Sequence, residues 1–434
     1  EANARYFRRT LPETTRRFLG DRPFARRALA RVTEAGIAAA DAYRAFGAFL
    51  RSAYDPGDTA DRFAAGEEEY EWRVRRCLRV DRSPAELYDY GARQVERYES
   101  RVFEVAEAVA REAGLGLRFG TPEQRRTSVR RVLEHLGTDS PADDDELFRW
   151  FRETGDRAVR YGREQGLFDV PADYRLDIAP TPPVLRSTID AAYYPAPPFK
   201  RSGVGRFYLT PTGNDPARLA LANRASVATL SCHEGFPGHD WHYKFMTEHA
   251  AKISNVRWLT MGSVEDSSSM WADSMATEGW ALYAEELMAE PVAGRPHGFY
   301  HAAEYLYMVQ AQLLRAVRVR VDVGIHTGRM SFAEAREYFA EPVAFLPAAC
   351  ARAAAGDAAA KAVCDQADRA IYRYSKWPTQ AITYDLGKNE IRELREATVT
   401  SPAELRRFHE LLLAMGTIPA AHFREGFLSA RRPA

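Results

Sequence analysis

Ser231-Cys232-His233-Glu234-Gly235-Phe236-Pro237-Gly238-His239-Asp240-Trp241-His242 is the stretch from which this chain is best read. A His-Glu pair followed by further histidines suggests a helical zinc-hydrolase site. Imidazoles hold the metal, and the adjacent carboxylate takes a proton from the attacking water. The usual spacing, His-Glu-x-x-His, sets two imidazoles on one helical face. Here Pro237 stands in the second place, and His239 lies about 240° from His233 on an ideal helix. Two such residues share a metal only if the helix is distorted between them. Pro237 removes an amide donor and Gly238 permits unusual backbone angles, so a bulge there can bring His239 back to the face of His233. His242 is the competing ligand, and a structural or capping role for these histidines is the alternative.

Catalytic zinc usually takes three protein ligands. Downstream, Thr277-Glu278-Gly279-Trp280-Ala281-Leu282-Tyr283-Ala284-Glu285-Glu286-Leu287 reads as a helix with Glu278 in its apolar first half and Glu285 and Glu286 in its charged second half. A carboxylate among Trp280, Ala281 and Leu282 is costly to bury unless paired or metal-bound. The competing reading is a surface carboxylate favoured by the dipole of a helix N-terminus. Farther on, Leu313–His326 is apolar apart from one stripe. Arg315, Asp322 and His326 fall within about 40° of one another on the helical wheel, with Arg318 near them. Such a stripe lines an active site or forms a structural ion-pair network.

The rest of the chain is dominated by helix signals. Capping boxes stand at Ser83–Glu86, Thr121–Gln124, Ser331–Glu334 and Ser401–Glu404, three of them with proline at the first helical position. Pro84 to Gly114 reads as one long amphipathic helix. The Arg-rich start (Arg5, Arg8, Arg9, Arg16, Arg17, Arg26, Arg27) interleaves with apolar residues and reads as a solvated helix face. Prolines 180, 182, 183, 195, 197, 198 and 211 mark a zone of loops and extended chain. Within it, Gly205–Thr210 has the composition of a strand. The expected architecture is one mainly helical domain over 1–434 with a small sheet or hairpin. It allows an N-terminal helical subdomain over 1–170, with the metal-site region over 171–434.

With 434 residues, of which 46% are hydrophobic, the chain can bury a large core, and disordered or collagen-like classes are excluded. Its 60 basic and 60 acidic residues cancel, so no global field draws in nucleic acid or an anionic membrane. Four scattered cysteines, Cys77, Cys232, Cys350 and Cys364, are too few for a disulfide framework and are expected to be reduced, buried thiols. No apolar run approaches the roughly 20 residues that span a bilayer. A cytoplasmic location is slightly favoured, although the start at Glu1 is compatible with a removed signal peptide. No oligomeric state follows from the sequence.

Four separated motifs carry a resemblance. His-Glu-x-x-Pro-Gly-His at 233–239, Glu-Gly-Trp-Ala-Leu-Tyr-Ala-Glu at 278–285, Val-Asp-x-Gly-Ile-His at 321–326 and Gln-Ala-x-x-Tyr-x-x-Gly at 380–387 together resemble the bacterial domain-of-unknown-function 885 family. Arg373-Tyr374, Leu394-Arg395 and the run from Phe408 to Pro419 extend the likeness. The resemblance implies a zincin-like, zinc-dependent peptidase. It implies zinc ligation by His233, His239 and Glu278, Glu234 as general base, and His326 and Tyr384 near the reacting carbonyl. The chain departs from the family pattern after the second metal histidine, where Asp240-Trp241-His242 replaces the usual His-Leu-Gln continuation.

The expected function is therefore zinc-dependent hydrolysis of a peptide or small amide. The strand carrying Tyr208 would pair with an extended substrate, and Arg373 and Gln380 would bind the substrate's charged end. The alternative for Arg373 is a pairing with Asp368. The competing functions are a metal-dependent biosynthetic enzyme acting on a small molecule and a non-catalytic binding protein on the same scaffold.

Overall fold

Helix starts fall where the capping residues placed them. Ser83, Thr121, Ser331 and Ser401 each accept the amide N–H three residues on, and the first three form complete reciprocal boxes. At the fourth, the Glu404 carboxylate reaches back instead to the amide and hydroxyl of Thr400. The computed structural model describes residues 2–53, 63–186, 189, 192–195, 205–258 and 273–431. Pro197 and Pro198 of the proline-rich zone lie outside them.

The chain is mainly helical with one small sheet, and it divides into two compact units. One comprises Glu1–Arg62, Pro180–Ala192 and Leu209–Pro211; the other comprises Phe63–Ala179, Tyr193–Tyr208 and Thr212–Ala434. The division thus falls near residue 62 and not near 170. The helices between 84 and 164 belong with the metal-site region, because their apolar faces are buried within it.

In the first unit, helices α1 (Leu11–Leu19) and α2 (Ala25–Ala53) follow an irregular helical start. The seven arginines of the Arg-rich start are all exposed, as a solvated face requires.

The second unit is organised on two long helices, α3 (Pro84–Glu112) and α8 (Ala302–His326), which lie along each other. Between them in the chain come α4 (Pro122–Leu136), α5 (Asp144–Glu164), α6 (His239–Glu248) and α7 (Met275–Met288). After α8 follow α9 (Phe332–Ala344), α10 (Ala358–Lys376), α11 (Thr383–Thr398) and α12 (Pro402–Ala414). Val95, Val102, Val105 and Val109 of α3 and Leu313, Val317, Val321 and Ile325 of α8 are buried in one core. Each such side chain stabilises by about 1.5–3 kcal/mol before conformational entropy is subtracted. The strands β1 (Ile178–Pro180), β2 (Ala192–Tyr193) and β3 (Phe207–Leu209) form a sheet in the order β1-β3-β2.

One helix crossing positions the site. α7 packs on α11 with glycine against glycine. A Cβ on Gly279 would lie 2.4 Å from the Gly387 backbone, and one on Gly387 would lie 2.4 Å from the Met275 carbonyl oxygen. This approach sets Glu278, next to Gly279, beside the stretch of α11 that carries Tyr384.

The expectation for the cysteines is corrected in part. Cys350 and Cys364 form a disulfide, their Cα atoms 4.9 Å apart. Proximity in the folded chain, which spacing in sequence does not reveal, brings them together. Cys77 and Cys232 are free. Among the described residues no helix is long and apolar enough to cross a membrane.

Candidate metal centre

The break at Pro237-Gly238 does more than bulge a helix. The segment Val227–Leu230 runs into a π-helical turn, Ser231–Gly235, which carries His233 and Glu234. The chain then leaves helical geometry at Phe236, and α6 begins afresh at His239. A Cβ on Gly238 would sit 1.8 Å from the His233 carbonyl oxygen, so only glycine lets the chain fold back this tightly. Trp280 Nε1 donates to the Pro237 carbonyl at 2.9 Å and ties the turn to α7.

The result is a three-residue cluster. Ligating atoms of His233, His239 and Glu278 all lie within 4.8 Å of one another. Glu278 Oε2 is 3.5 Å from His233 Nε2 and 3.4 Å from His239 Nε2. Two bonds of 2.0–2.1 Å at a tetrahedral angle separate ligand atoms by about 3.4 Å, so these two spacings suit a small tetrahedral ion. Glu278 Oε2 is buried and has no well-formed hydrogen bond, although it faces two imidazoles. The residues present therefore fit a metal.

Electrostatics of the metal-free site follow from this packing. Burial pulls the His233 imidazole down, but the facing Glu278 and Glu285 carboxylates override it and push it up to about 9. Burial raises the Glu278 carboxyl, but the two imidazoles outweigh that and hold it well below the usual carboxylate range.

Glu285, read from sequence as part of the charged half of α7, holds His233 from the other side. Its Oε1 lies 2.7 Å from His233 Nδ1, and its Oε2 accepts from Gln312 Nε2 at 3.0 Å. Gln312 Oε1 in turn accepts from the buried Lys388 ammonium at 2.9 Å. Glu278 and Glu285 are two helical turns apart on one stripe, and that spacing was the available signal.

The departure residues face the core. Asp240 accepts from the Tyr174 hydroxyl at 2.6 Å and pairs with Lys244 at 2.9 Å. Trp241 packs among Phe168, Tyr174, Phe236 and Phe245. His242 stacks on Tyr243; burial, reinforced by nearby His239, pushes it down to about 3. His242 is not in the cluster, and His239 is.

Of the remaining expected site residues, Tyr384 is at the centre. Its ring stacks parallel to that of His233, with centroids 6.5 Å apart, and its hydroxyl receives Arg373 at 3.5 Å. Glu234, beside His233, is buried, and among the described residues nothing hydrogen-bonds its carboxylate.

Two expectations are corrected. His326 is not brought to the cluster: its Nε2 donates to the Tyr374 carbonyl at 3.0 Å and its Nδ1 accepts the Ala65 amide at 3.3 Å. With both nitrogens engaged by backbone, it is a strut and has none left for a substrate oxygen. Gln380 stands just before α11, where its backbone carbonyl accepts the Thr383 hydroxyl at 2.7 Å. Tyr208 stacks on Tyr193 in β3, the central strand, whose edges are both paired, so this strand offers no edge to a peptide. Asp322 completes the strut, accepting the Tyr70 hydroxyl at 2.6 Å and the Thr379 amide at 2.9 Å. The polar stripe of α8 thus fastens the α10–α11 connection, while Arg315 approaches Glu285 at 3.7 Å.

Residues 2–426 match the family described as bacterial protein of unknown function, DUF885, and the chain belongs to that family. No curated protein matches. Two solved structures share the fold. One is the "putative lipoprotein" from Colwellia psychrerythraea, 20% identical with a TM-score of 0.67, covering 93% of this chain and 62% of that one. The other is a "putative lipoprotein of unknown function" from Shewanella oneidensis, 19% identical with a TM-score of 0.65, covering 97% of this chain and 70% of that one. The chain therefore spans under two thirds of the length of the Colwellia protein.

Proposed function

We propose that this protein is a zinc-dependent hydrolase of peptide or amide bonds. The observation that carries the reading is Glu278 Oε2 facing the Nε2 atoms of His233 and His239 at 3.5 and 3.4 Å, a spacing suited to a tetrahedral ion. Zinc held there supplies Lewis acidity toward a carbonyl and a nucleophile at neutral pH. Glu234, one residue from a ligand and free of hydrogen-bond partners among the described residues, takes the proton of the attacking water and returns it to the leaving amine. The Tyr384 hydroxyl donates to the oxygen on which negative charge develops. Glu285 fixes the ring orientation of His233, as carboxylates behind metal-bound histidines do.

The setting we propose is outside the cytoplasm, against the slight preference drawn from sequence. The Cys350–Cys364 disulfide supports this, as do the names of the two structural neighbours. Elemental analysis tests the centre. Wild type should hold about one zinc per chain, Glu278→Ala and His239→Ala should lose it, and His242→Ala should keep it. Full zinc in Glu278→Ala would remove that residue from the centre.

A further inference from the structure

Two guanidinium groups beside the cluster have no ion-pair partner among the described residues. Arg373, near the end of α10, reaches the Tyr384 hydroxyl at 3.5 Å. Arg318, on α8, lies over the same ring at 5.0 Å and over Tyr374 at 5.8 Å. Among the described residues neither has a carboxylate within ion-pairing distance, and Arg318 Nε is buried with no acceptor. Arg373 forms no ion pair with Asp368, which instead lies 2.8 Å from Arg336 Nε.

Acids are not in short supply. Several other arginines of this unit are paired, including Arg157 with Glu304 and Arg395 with Glu290. Arg373 is exposed to solvent near the end of α10. The Tyr384 oxygen, and then the Glu278 carboxylate, hold its guanidinium above the ordinary pKa, so Arg373 and the ligand Glu278 lie within electrostatic reach. Arg315, Arg318 and Arg373 offset Glu234, Glu278 and Glu285 in charge. A divalent ion would leave the loaded site with an excess of about two positive charges, which favours an anionic substrate.

We infer that Arg373 and Arg318 receive the free carboxylate of the substrate, so that this centre acts on the amide bond next to a C-terminal residue. A guanidinium grips a planar carboxylate with two parallel hydrogen bonds, a geometry that an ammonium does not reproduce. Tyr384 is touched by both arginines and stacks on His233, so a carboxylate held there sits one tyrosine ring from the ligands. Water adds its hydroxyl to the acyl carbon, the C–N bond breaks, and the amine leaves with the proton as a free amino acid. The cleavage position rests on the hydrolase reading; the carboxylate site does not.

Calorimetric titration of the full chain, both metal-free and zinc-loaded, tests the inference. The probes are an N-acetyl dipeptide with a free C-terminus, its C-terminal amide, and inorganic phosphate. Wild type should bind the acid about 10-fold or more tightly than the amide in both states. Arg373→Gln and Arg318→Gln should each remove most of that preference, and Arg373→Lys should restore only part of it. Equal binding of acid and amide by wild type, no measurable binding of the acid, or its displacement by phosphate at equal concentration would overturn the carboxylate site. Acid-selective binding without release of an amino acid by the zinc-loaded protein would sink the hydrolase reading and leave the carboxylate site standing.

Discussion

Glu285 Oε1 lies 2.7 Å from Nδ1 of His233 while Glu278 Oε2, two turns earlier on the same helix, lies 3.5 Å from Nε2 of the same ring. One helix therefore engages both nitrogens of one imidazole. Glu278 faces the side where a metal fits, and Glu285 fixes the tautomer from behind.

That relationship makes Glu285→Gln informative. The amide keeps the shape but loses the charge that holds Nδ1–H. Zinc affinity should fall about 10- to 100-fold, read by competition with a chelator, while the helical signal is unchanged. Unaltered affinity would show that Glu285 serves packing alone.

The glycine crossing of α7 and α11 gives a second expectation. Gly387→Ala places a methyl group against the Met275 backbone, which cannot yield as a flexible side chain could. Stability to urea should drop by about 1–3 kcal/mol, the usual range for overpacking. Zinc affinity should drop with it, because Glu278 follows Met275 by less than one turn of the same helix. A variant as stable as wild type would mean that the two helices separate freely at this point.

Asp322 supplies a pH signature. Burial pushes its carboxyl up to about 7, even though hydrogen bonds from Tyr70 and Thr379 pull it down. In an unfolded chain an aspartate releases its proton near pH 4. Between about pH 4 and 7 the folded protein retains a proton that the unfolded chain has lost, so this group lowers stability as pH rises through that window. Asp322→Asn stays neutral throughout. Relative to wild type it should gain on the order of 4 kcal/mol between about pH 4 and 7 and nothing further above that range, measured by urea denaturation at several pH values. Asp273, which burial also pushes up to about 7, keeps its own share of the slope in both proteins. Parallel pH profiles for the two proteins would contradict a neutral Asp322.

Much of this was legible in the chain because the physics is local. Capping residues set helix starts at Ser83, Thr121 and Ser331, and Pro237-Gly238 announced a distortion between His233 and His239, expected as a bulge and found as a full break. What was not legible depends on contacts between distant segments. The burial of His326 against Ala65 and Tyr374 could not be told from a catalytic role by its place on a polar stripe. The pairing of β3 on both sides, which closes its edges, is a property of the sheet and not of residues 205–210. Glu285 was hidden for a different reason, since Glu286 beside it made the end of α7 look like an ordinary charged surface. Its sevenfold spacing from Glu278 carried the answer.

We propose that Glu234 performs proton transfer at a zinc centre built from His233, His239 and Glu278. The most direct test is the rate at which zinc-loaded wild type and Glu234→Gln cleave a set of short free-acid peptides, with zinc content measured on the same samples. Equal zinc is expected in both, with cleavage by wild type and a rate about 100-fold or more lower in the variant. Cleavage at the wild-type rate by Glu234→Gln, or no cleavage by fully zinc-loaded wild type, would contradict the proposal.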